Sequence, residues 1–416
     1  MLMEQYVNFL DKDHPQTFGD ALEEIARIGA RKMLQQALEI EVEEFIERYQ
    51  TVRIDNKQAI VRNGHLPERA IQTGLGSINI QQPRVRDKTG LKKFASSILP
   101  PYLRRSPSIV TLIPLMYLKG ISTNDFSEVL EAILGENAKG LSPTNIVRLK
   151  ESWEGEYKEW LIRDLSSKHY VYIWADGIYF NVRLQDDRPC ILVIIGALPD
   201  GTKELVAVYD GHRESKESWR EVLEELKRQG LSKVPLLAIG DGALGFWTAL
   251  EEVFPSTKHQ RCWVHKTANV LDKMAKSVQP HAKKLIHDMY MSPTKEDGMS
   301  AFNSFIKLYE AKYPKACECL QKDKEQLFTF YDYPAEHWVH IRTTNPIEST
   351  FATVRHRMRQ TKGCGSRQAT MAMVFKLVTS AQQGWRKIRG YKLIEKIIRG
   401  VQFRNGEEVE IQDKAA

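Results

Sequence analysis

Apolar residues first recur at helical spacing over residues 17–50, where Leu22, Ile25, Ala26, Ile28, Gly29 and Met33 stand among many acids and predict a helix. The texture then changes. Ile54 to Arg86 alternates and carries turn signals at Asn63-Gly64, Gly74 and Gly76, and Ser77-Ile78-Asn79-Ile80-Gln81 is a period-two run, so short strands are predicted. Residues 107–163 return to helix. Ser122-Thr123-Asn124-Asp125 suits one helix start, and Ser142-Pro143 suits another, with proline at the first helical position. Gly135 to Gly140 separates them. Two helices joined by such a turn predict a helix-turn-helix, with Asn145, Arg148 and Lys150 facing a DNA groove. Any helical hairpin gives the same pattern.

A mixed region begins near Lys168. Tyr170–Leu184, Cys190–Leu198 and Lys203–Tyr209 are apolar and β-rich, with Asp186-Asp187 and Pro199-Asp200-Gly201 as turns, which predicts a three-strand antiparallel meander. Ser215–Gln229 reads as a helix. Val234–Ile239 reads as a short buried parallel strand, Gly242–Val253 as a helix and Gln260–His265 as a further strand. The order β-β-β-α-β-α-β is that of an RNase H-like fold. Residues 266–338 look almost entirely helical, Asn345 opens a helix to about Lys362, and 366–399 is helical again. The expected fold class is multidomain α+β. It divides into a helical region (1–60), a β-rich segment (61–106), a helix-turn-helix-like region (107–165), a core part (166–265), an all-helical insertion (266–338), a second core part with basic C-terminal helices (339–404) and a tail (405–416).

Composition narrows the class. Apolar residues make up 42% and charged residues 27% of 416, a globular profile. No apolar run approaches the roughly 20 residues of a membrane helix. The N-terminus shows no signal-peptide pattern, and five cysteines are too few for a disulfide framework, so a cytoplasmic location is expected. The net charge is +7, but Arg342 to Arg404 holds fourteen Lys and Arg against Glu348 and Glu395, a local +12 that leaves the rest at −5. Concentrated positive charge suggests a polyanion, nucleic acid by default. Its apolar positions Phe375, Leu377, Val378 and Trp385 show a folded segment, for which a solvated helix surface is the plainer alternative.

Three carboxylates stand out. Ile173-Trp174-Ala175-Asp176-Gly177 and Ala238-Ile239-Gly240-Asp241-Gly242 each set Asp-Gly at an apolar strand. Strands lie roughly 4.8 Å apart, so two such acids on neighbours can share a divalent ion, and oxygen ligands favour Mg²⁺ or Mn²⁺. Asp-Gly also simply terminates strands. In Arg342-Thr343-Thr344-Asn345-Pro346-Ile347-Glu348-Ser349, Asn345 suits the N-cap, Pro346 the first helical position and Glu348 the capping-box acid. Yet Arg355, Arg359 and Lys362 share the face of Glu348 at offsets of seven, eleven and fourteen, which suits an active-site acid beside a DNA track.

These strings, with Gln260-Arg261-Cys262-Trp263-Val264-His265, resemble the signatures of Mutator-like bacterial insertion-sequence transposases, the family of insertion sequence 256, from about Arg62 to the C-terminal helices. The resemblance implies an RNase H-like core with an Asp-Asp-Glu triad, which falls on Asp176, Asp241 and Glu348. One departure is Asp241-Gly242-Ala243, where relatives often show Asp-Ala-His. The implied activity is cleavage of element ends and joining of 3′ ends to target DNA by two-metal-ion phosphoryl transfer, with Mg²⁺ or Mn²⁺, two ions per site. The implied partners are double-stranded DNA (terminal inverted repeats and target) and a second copy in a homodimer, with no membrane. Cys262 and His265 would brace the active site from the strand after Asp241, with Asn345 as further support. Cys-x-x-His is half a zinc site, but Cys317-x-Cys319 and His337-x-x-His340 lack the paired spacing, so no structural zinc is expected. Trp219 and Trp247 read as core aromatics, with stacking on a flipped base as the other reading. The competing readings are a non-catalytic transposase-derived DNA-binding protein and a resolvase-type nuclease.

Overall fold

The structure, a computed structural model, describes residues 18–101, 103–104, 106, 116, 143–179, 190–211, 213–360 and 366–409. The expected helix start at Ser122–Asp125, the Gly135–Gly140 turn, Lys362 and the first strand's continuation to Leu184 lie outside the described residues. The chain divides into two compact units, Met1–Ile146 and Val147–Ala416.

In the first unit, helix α1 (Phe18–Arg48) is followed by the short strands β1 (Arg53–Ile54), β2 (Lys57–Gln58), β3 (Ile60–His65), β4 (Arg69–Thr73), β5 (Gly76–Ile80) and β6 (Pro83–Asp87). They pair as antiparallel ribbons β1–β2, β3–β6 and β4–β5. The period-two run is β5, with Ile78 and Ile80 buried. The helix buries a different stripe from the expected one. Ala30, Leu34 and Leu38 pack with Ile71, Ile78 and Ile80, and Val42 is buried one turn on, whereas Leu22, Ile25 and Met33 point outward. Residues 30, 34, 38 and 42 form one i, i+4 row, so the C-terminal half of the helix supplies the packing face. The side chain of Glu41 receives the backbone N–H of Ser97 at 2.6 Å, fixing the 96–99 loop.

The description resumes at helix α2 (Pro143–Leu161), most of which belongs to the second unit. Its sheet contains β7 (Tyr172–Tyr179), β8 (Cys190–Ala197), β9 (Lys203–Gly211), β10 (Leu237–Gly240) and β11 (Lys258–Arg261), in the order β11-β10-β7-β8-β9. β7, β8 and β9 form the antiparallel meander, and β10 and β11 run parallel to β7. Helices α3 (Lys216–Arg228) and α4 (Leu244–Val253) cover one face, burying Trp219, Leu223, Phe246 and Trp247 against Ile173, Ala175 and Ile194. Trp219 and Trp247 are core residues. On the opposite parity, Tyr172 meets His337 at 2.7 Å and Trp174 donates to the His340 carbonyl at 3.0 Å.

Helices α5 (Trp263–Leu271), α6 (Gln279–Met291), α7 (Lys295–Tyr309), α8 (Pro314–Gln321), α9 (Lys324–Leu327) and α10 (Trp338–Ile341) follow. The expected strand over Gln260–His265 is corrected. The strand ends at Arg261, Cys262 is the cap residue of α5, and His265 lies on that helix. Buried Gln260 and Trp263 tie the helices to the sheet edge. The Gln260 amide donates to the Leu327 carbonyl at 3.1 Å and accepts from the Phe330 N–H at 2.7 Å, and the Trp263 indole donates to Leu327 at 2.8 Å.

Helix α11 (Asn345–Gln360) packs on β7 and β8, and α12 (Arg367–Gln382) packs on β9. The expected continuous helix over 366–399 breaks after Gln382. Gly390, at φ 68°, turns the chain into a short 3₁₀ turn, and α13 (Ile394–Ile398) follows. A last antiparallel pair, β12 (Phe403–Arg404) and β13 (Glu407–Glu408), closes the described chain. No described helix is long and apolar enough to cross a membrane.

Candidate active site

The last rungs joining the three parallel strands are Ala175 with Gly240 and Gly240 with Arg261. One residue further on, the strands present Asp176, Asp241 and Cys262. The Cys262 N–H still donates to the Gly240 carbonyl at 2.8 Å, so the alignment persists through that step. Strand geometry thus places the two sequence-predicted aspartates side by side. The two Asp-Gly pairs are nevertheless different. Asp241 follows Gly240, the last residue of β10, while Asp176 lies inside β7, which continues to Tyr179 in register with β8. The strand-terminating explanation therefore fails for Asp176.

Asp176 is buried at 8% exposure, and its Oδ1 accepts the Gly177 N–H at 2.9 Å. Asp241 Oδ1 accepts the Ala243 N–H at 2.8 Å, and its carbonyl accepts from Trp247 and from Arg261, both at 2.8 Å. Arg261 lies over the Trp247 ring, 4.3 Å from its centroid, so cation and indole together fix the turn that carries Asp241.

Glu214 joins these aspartates, a residue that sequence reasoning missed. It precedes Ser215, the N-cap of α3, whose hydroxyl accepts the Ser218 N–H at 3.2 Å. Oxygens of Asp176, Glu214 and Asp241 lie within 4.8 Å of one another. Burial, then repulsion from Asp241, pushes the Asp176 carboxyl up to about 7. Burial, then Asp241 and Asp176, pushes Glu214 up to about 8. In Arg213-Glu214-Ser215 the glutamate looks like an ordinary helix-entry acid, and nothing in the local pattern marks it.

Glu348 comes from the other side, in the first turn of α11. The helix begins at Asn345, and the Glu348 N–H donates to the Thr344 carbonyl at 3.0 Å, so Thr344 holds the cap position and not Asn345 as expected. Asn345 is exposed, and Glu348 stands one place beyond the capping-box site. The Thr344 hydroxyl, with one proton to give, lies 2.9 Å from Glu348 Oε1, 3.3 Å from Cys262 Sγ and 3.4 Å from His265 Nδ1. The Thr344 N–H also donates to Cys262 Sγ at 3.3 Å. His265 Nε2 is 3.8 Å from Glu348 Oε1. The hydrogen bond to Cys262 raises His265 to about 9 against its burial, and Asp176 and Glu348 add to the effect. Cys262, His265 and Glu348 also offer atoms within 4.8 Å of one another, so the structure gathers Cys262, His265 and all three predicted acids at one end of the sheet.

Other expected residues lie apart. His337 and His340, half of a considered zinc pattern, have ring nitrogens engaged by Gly390 at 3.0 Å and by the Arg389 N–H at 2.9 Å. Asn145, Arg148 and Lys150 lie on α2, where Lys150 is half-buried. Arg355 is exposed on α11 and lies 5.8 Å from the Phe351 ring centroid, Arg359 is on the same helix, and Lys362 falls outside the described residues.

The sequence family described as "Transposase, Mutator family" matches residues 2–388. The transposase for insertion sequence element IS6120 of Mycolicibacterium smegmatis is 49% identical over 299 residues, covering 72% of this chain and 92% of that protein. The transposase for element IST2 of Acidithiobacillus ferrooxidans is 47% identical over 279 residues, covering 67% and 94%. The transposase for IS256 in transposon Tn4001 of Staphylococcus aureus is 29% identical over 327 residues, covering 77% and 81%. Matched over residues 2–388 by the family, and over two thirds or more of its length by relatives at close to half identity, the chain belongs to the Mutator family of transposases.

Proposed function

We propose that this transposase is of the Asp-Asp-Glu type, with Asp176, Asp241 and Glu348 as its catalytic acids on an RNase H-like core, cutting element ends and joining them to target DNA. The observation that carries the reading is the register of β7 and β10, which sets Asp176 beside Asp241 at the end of their parallel pairing. The strand order β11-β10-β7-β8-β9, with three antiparallel and two parallel members, supports the RNase H-like core, and α5–α10 would be its helical insertion.

The donor set fits a hard divalent cation. Asp176 and Asp241 offer only carboxylate oxygen, and no described Lys or Arg forms an ion pair with either of them. These two acids would hold Mg²⁺ or Mn²⁺, and Glu348 would complete the ligand set for two ions, on the family's pattern, once DNA is present. A divalent cation there would supply charge neutralisation at phosphorus and activation of an attacking oxygen. His265, held up to about 9, is cationic at neutral pH and lies beside Glu348, its Nε2 3.8 Å from Oε1, which helps to place that carboxylate. Thr344 orients Glu348 through its hydroxyl. Helices α5 and α11 both begin at this site, and their N-termini favour an incoming phosphate.

The proposed substrate is double-stranded DNA: terminal inverted repeats, then target. Two ends must be brought together, for which a homodimer is the commonest solution. The test is Mg²⁺-dependent cleavage of a duplex bearing the element's terminal repeat. Asp176→Asn, Asp241→Asn and Glu348→Gln should each lower cleavage at least about a thousandfold, with a triple variant little worse because the acids act as a unit. Wild-type cleavage by any one of them removes that residue from the triad. Cleavage of branched DNA without joining of ends would favour the resolvase-type reading.

A further inference from the structure

Glu214 owes its place to a missing methyl group. Gly177 has no left-handed φ, and β7 runs through it to Tyr179, so no turn calls for glycine there. A Cβ at Gly177 would stand 2.9 Å from Glu214 Cδ, 3.0 Å from its Oε2 and 3.2 Å from Cys190 Sγ. At Gly242, after the other aspartate, a Cβ would meet nothing within 4 Å. Gly177 is therefore a cradle that lets the carboxylate preceding α3 lie against the strand.

The parity of β7 explains the two approaches. Asp176 shares its face with Tyr172 and Trp174, the side that meets His337 and His340. Gly177 shares its face with Ile173 and Ala175, the side covered by α3 and α4. Glu214 thus reaches the aspartates from the α3 side, and Glu348 reaches them from the α11 side. Asp176 is nine-tenths buried, and among the described residues its one hydrogen bond comes from the adjacent Gly177 N–H to Oδ1, which leaves Oδ2 without a donor. None of the three carboxylates is ion-paired to a described Lys or Arg. Three mutually repelling acids within 4.8 Å of one another, one of them with a carboxylate oxygen that no described protein donor meets, call for a multivalent cation.

We propose that Glu214 is the third carboxylate of a divalent-cation site formed with Asp176 and Asp241, and that this trio takes its cation before DNA binds, without Glu348. The proposal rests on the reading of Asp176 and Asp241 as the metal-holding pair. Glu348 groups with Cys262 and His265 instead, and its Oε1 is engaged by Thr344 at 2.9 Å.

The test is Mn²⁺ binding to the DNA-free full chain, read from the loss of the free-ion electron paramagnetic resonance signal. Glu214→Gln should weaken Mn²⁺ binding at least tenfold. Gly177→Ala, which keeps every carboxylate but displaces Glu214, should weaken it several-fold. Glu348→Gln should stay within twofold of wild type, and Asp176→Asn should abolish binding. If Asp176→Asn abolishes binding while Glu214→Gln binds like wild type, the assignment of Glu214 is overturned and the aspartate pair stands. If Asp176→Asn also binds like wild type, the metal-holding pair itself is overturned. A loss in Glu348→Gln as large as that in Glu214→Gln overturns the independence of the trio.

Discussion

A carboxylate among carboxylates in a half-dry cleft is an unstable arrangement until something neutralises it. Asp176 is raised from 3.8 to about 7 and Glu214 from 4.5 to about 8, each by burial first and by neighbouring acids next. For an acid raised on folding, the native state holds the proton more tightly, so its stabilising contribution is present below the unfolded value and is lost as pH rises through the folded one. In chelator, the melting temperature should therefore fall as pH rises from about 5 to 8. Glu214→Gln should flatten that slope and, at pH 8, melt higher than wild type by at least about 1 kcal/mol, or roughly 2–4 °C. A melting temperature independent of pH across this window would count against mutual repulsion of the trio. The aspartates were legible in the sequence because a charge inside an apolar strand is conspicuous. Glu214 was not, because its significance lies in what Gly177 leaves open on another strand, a relation no local pattern carries. Thr344 was missed by one position, since Thr-Thr-Asn-Pro offers several plausible caps and only the hydrogen bond from Glu348 chooses among them.

Elements converge on the site by their ends. α5 starts after Cys262 and α11 after Thr344, and the Thr344 hydroxyl and N–H link the two starts. Thr344→Val keeps the shape and removes the hydroxyl from Glu348 and Cys262. We expect cleavage to fall about 10–100-fold, the usual cost of losing an orienting partner at a site of this kind, with DNA affinity nearly unchanged and activity largely restored by Thr344→Ser. Equal losses in the serine and valine variants would show that the hydroxyl is not what matters. Elsewhere, the joint between β11 and the helices is held by the Gln260 amide together with the Trp263 indole. Gln260→Leu would leave the buried Phe330 N–H without its acceptor, while the Leu327 carbonyl keeps the Trp263 indole, at a cost of about 1–3 kcal/mol seen in a denaturant melt. The strand and helix order of this unit was readable because β-branched runs, turn residues and caps agree there, as at Ser215. The α5 boundary was not. The short apolar run Cys262-Trp263-Val264 suits strand and helix alike, and the fold chooses helix once Cys262 has made its bond to Gly240.

For the molecule as a whole, the +12 of the C-terminal segment is a property of the chain order more than of the surface. Five of its cations are drawn to acids outside it, Arg367 to Asp210, Lys376 to Glu156, Lys387 to Asp200, Lys396 to Glu408 and Arg404 to Glu296, and Arg399 pairs with Glu395 within it. Arg342 is taken up inside, donating to the Tyr290 carbonyl and lying over Phe330. Exposed pairs of this kind contribute little stability, but they cancel each other's field. Sequence arithmetic cannot show this cancellation, because four of the six acids precede Arg342 in the chain. Outside these pairs, Arg386, Arg389 and Lys392 are exposed after α12, and Arg355 is exposed on the helix that carries Glu348, with Arg359 and Lys362 four and seven places further along the sequence as the remainder of the proposed DNA track. Each phosphate contact contributes about 0.9 to the slope of log K against log salt on duplex DNA. The triple variant Arg355→Ala, Arg359→Ala, Lys362→Ala should therefore bind more weakly to every duplex and show a slope flatter by roughly 2–3. A matched triple variant, Lys387→Ala, Lys396→Ala, Arg404→Ala, removes the same formal charge from paired positions and should leave the slope within about 1 of wild type. If both variants flatten the slope equally, net charge governs binding and the α11 track is excluded. If only the first does, the helix that carries Glu348 into the site also leads DNA toward it.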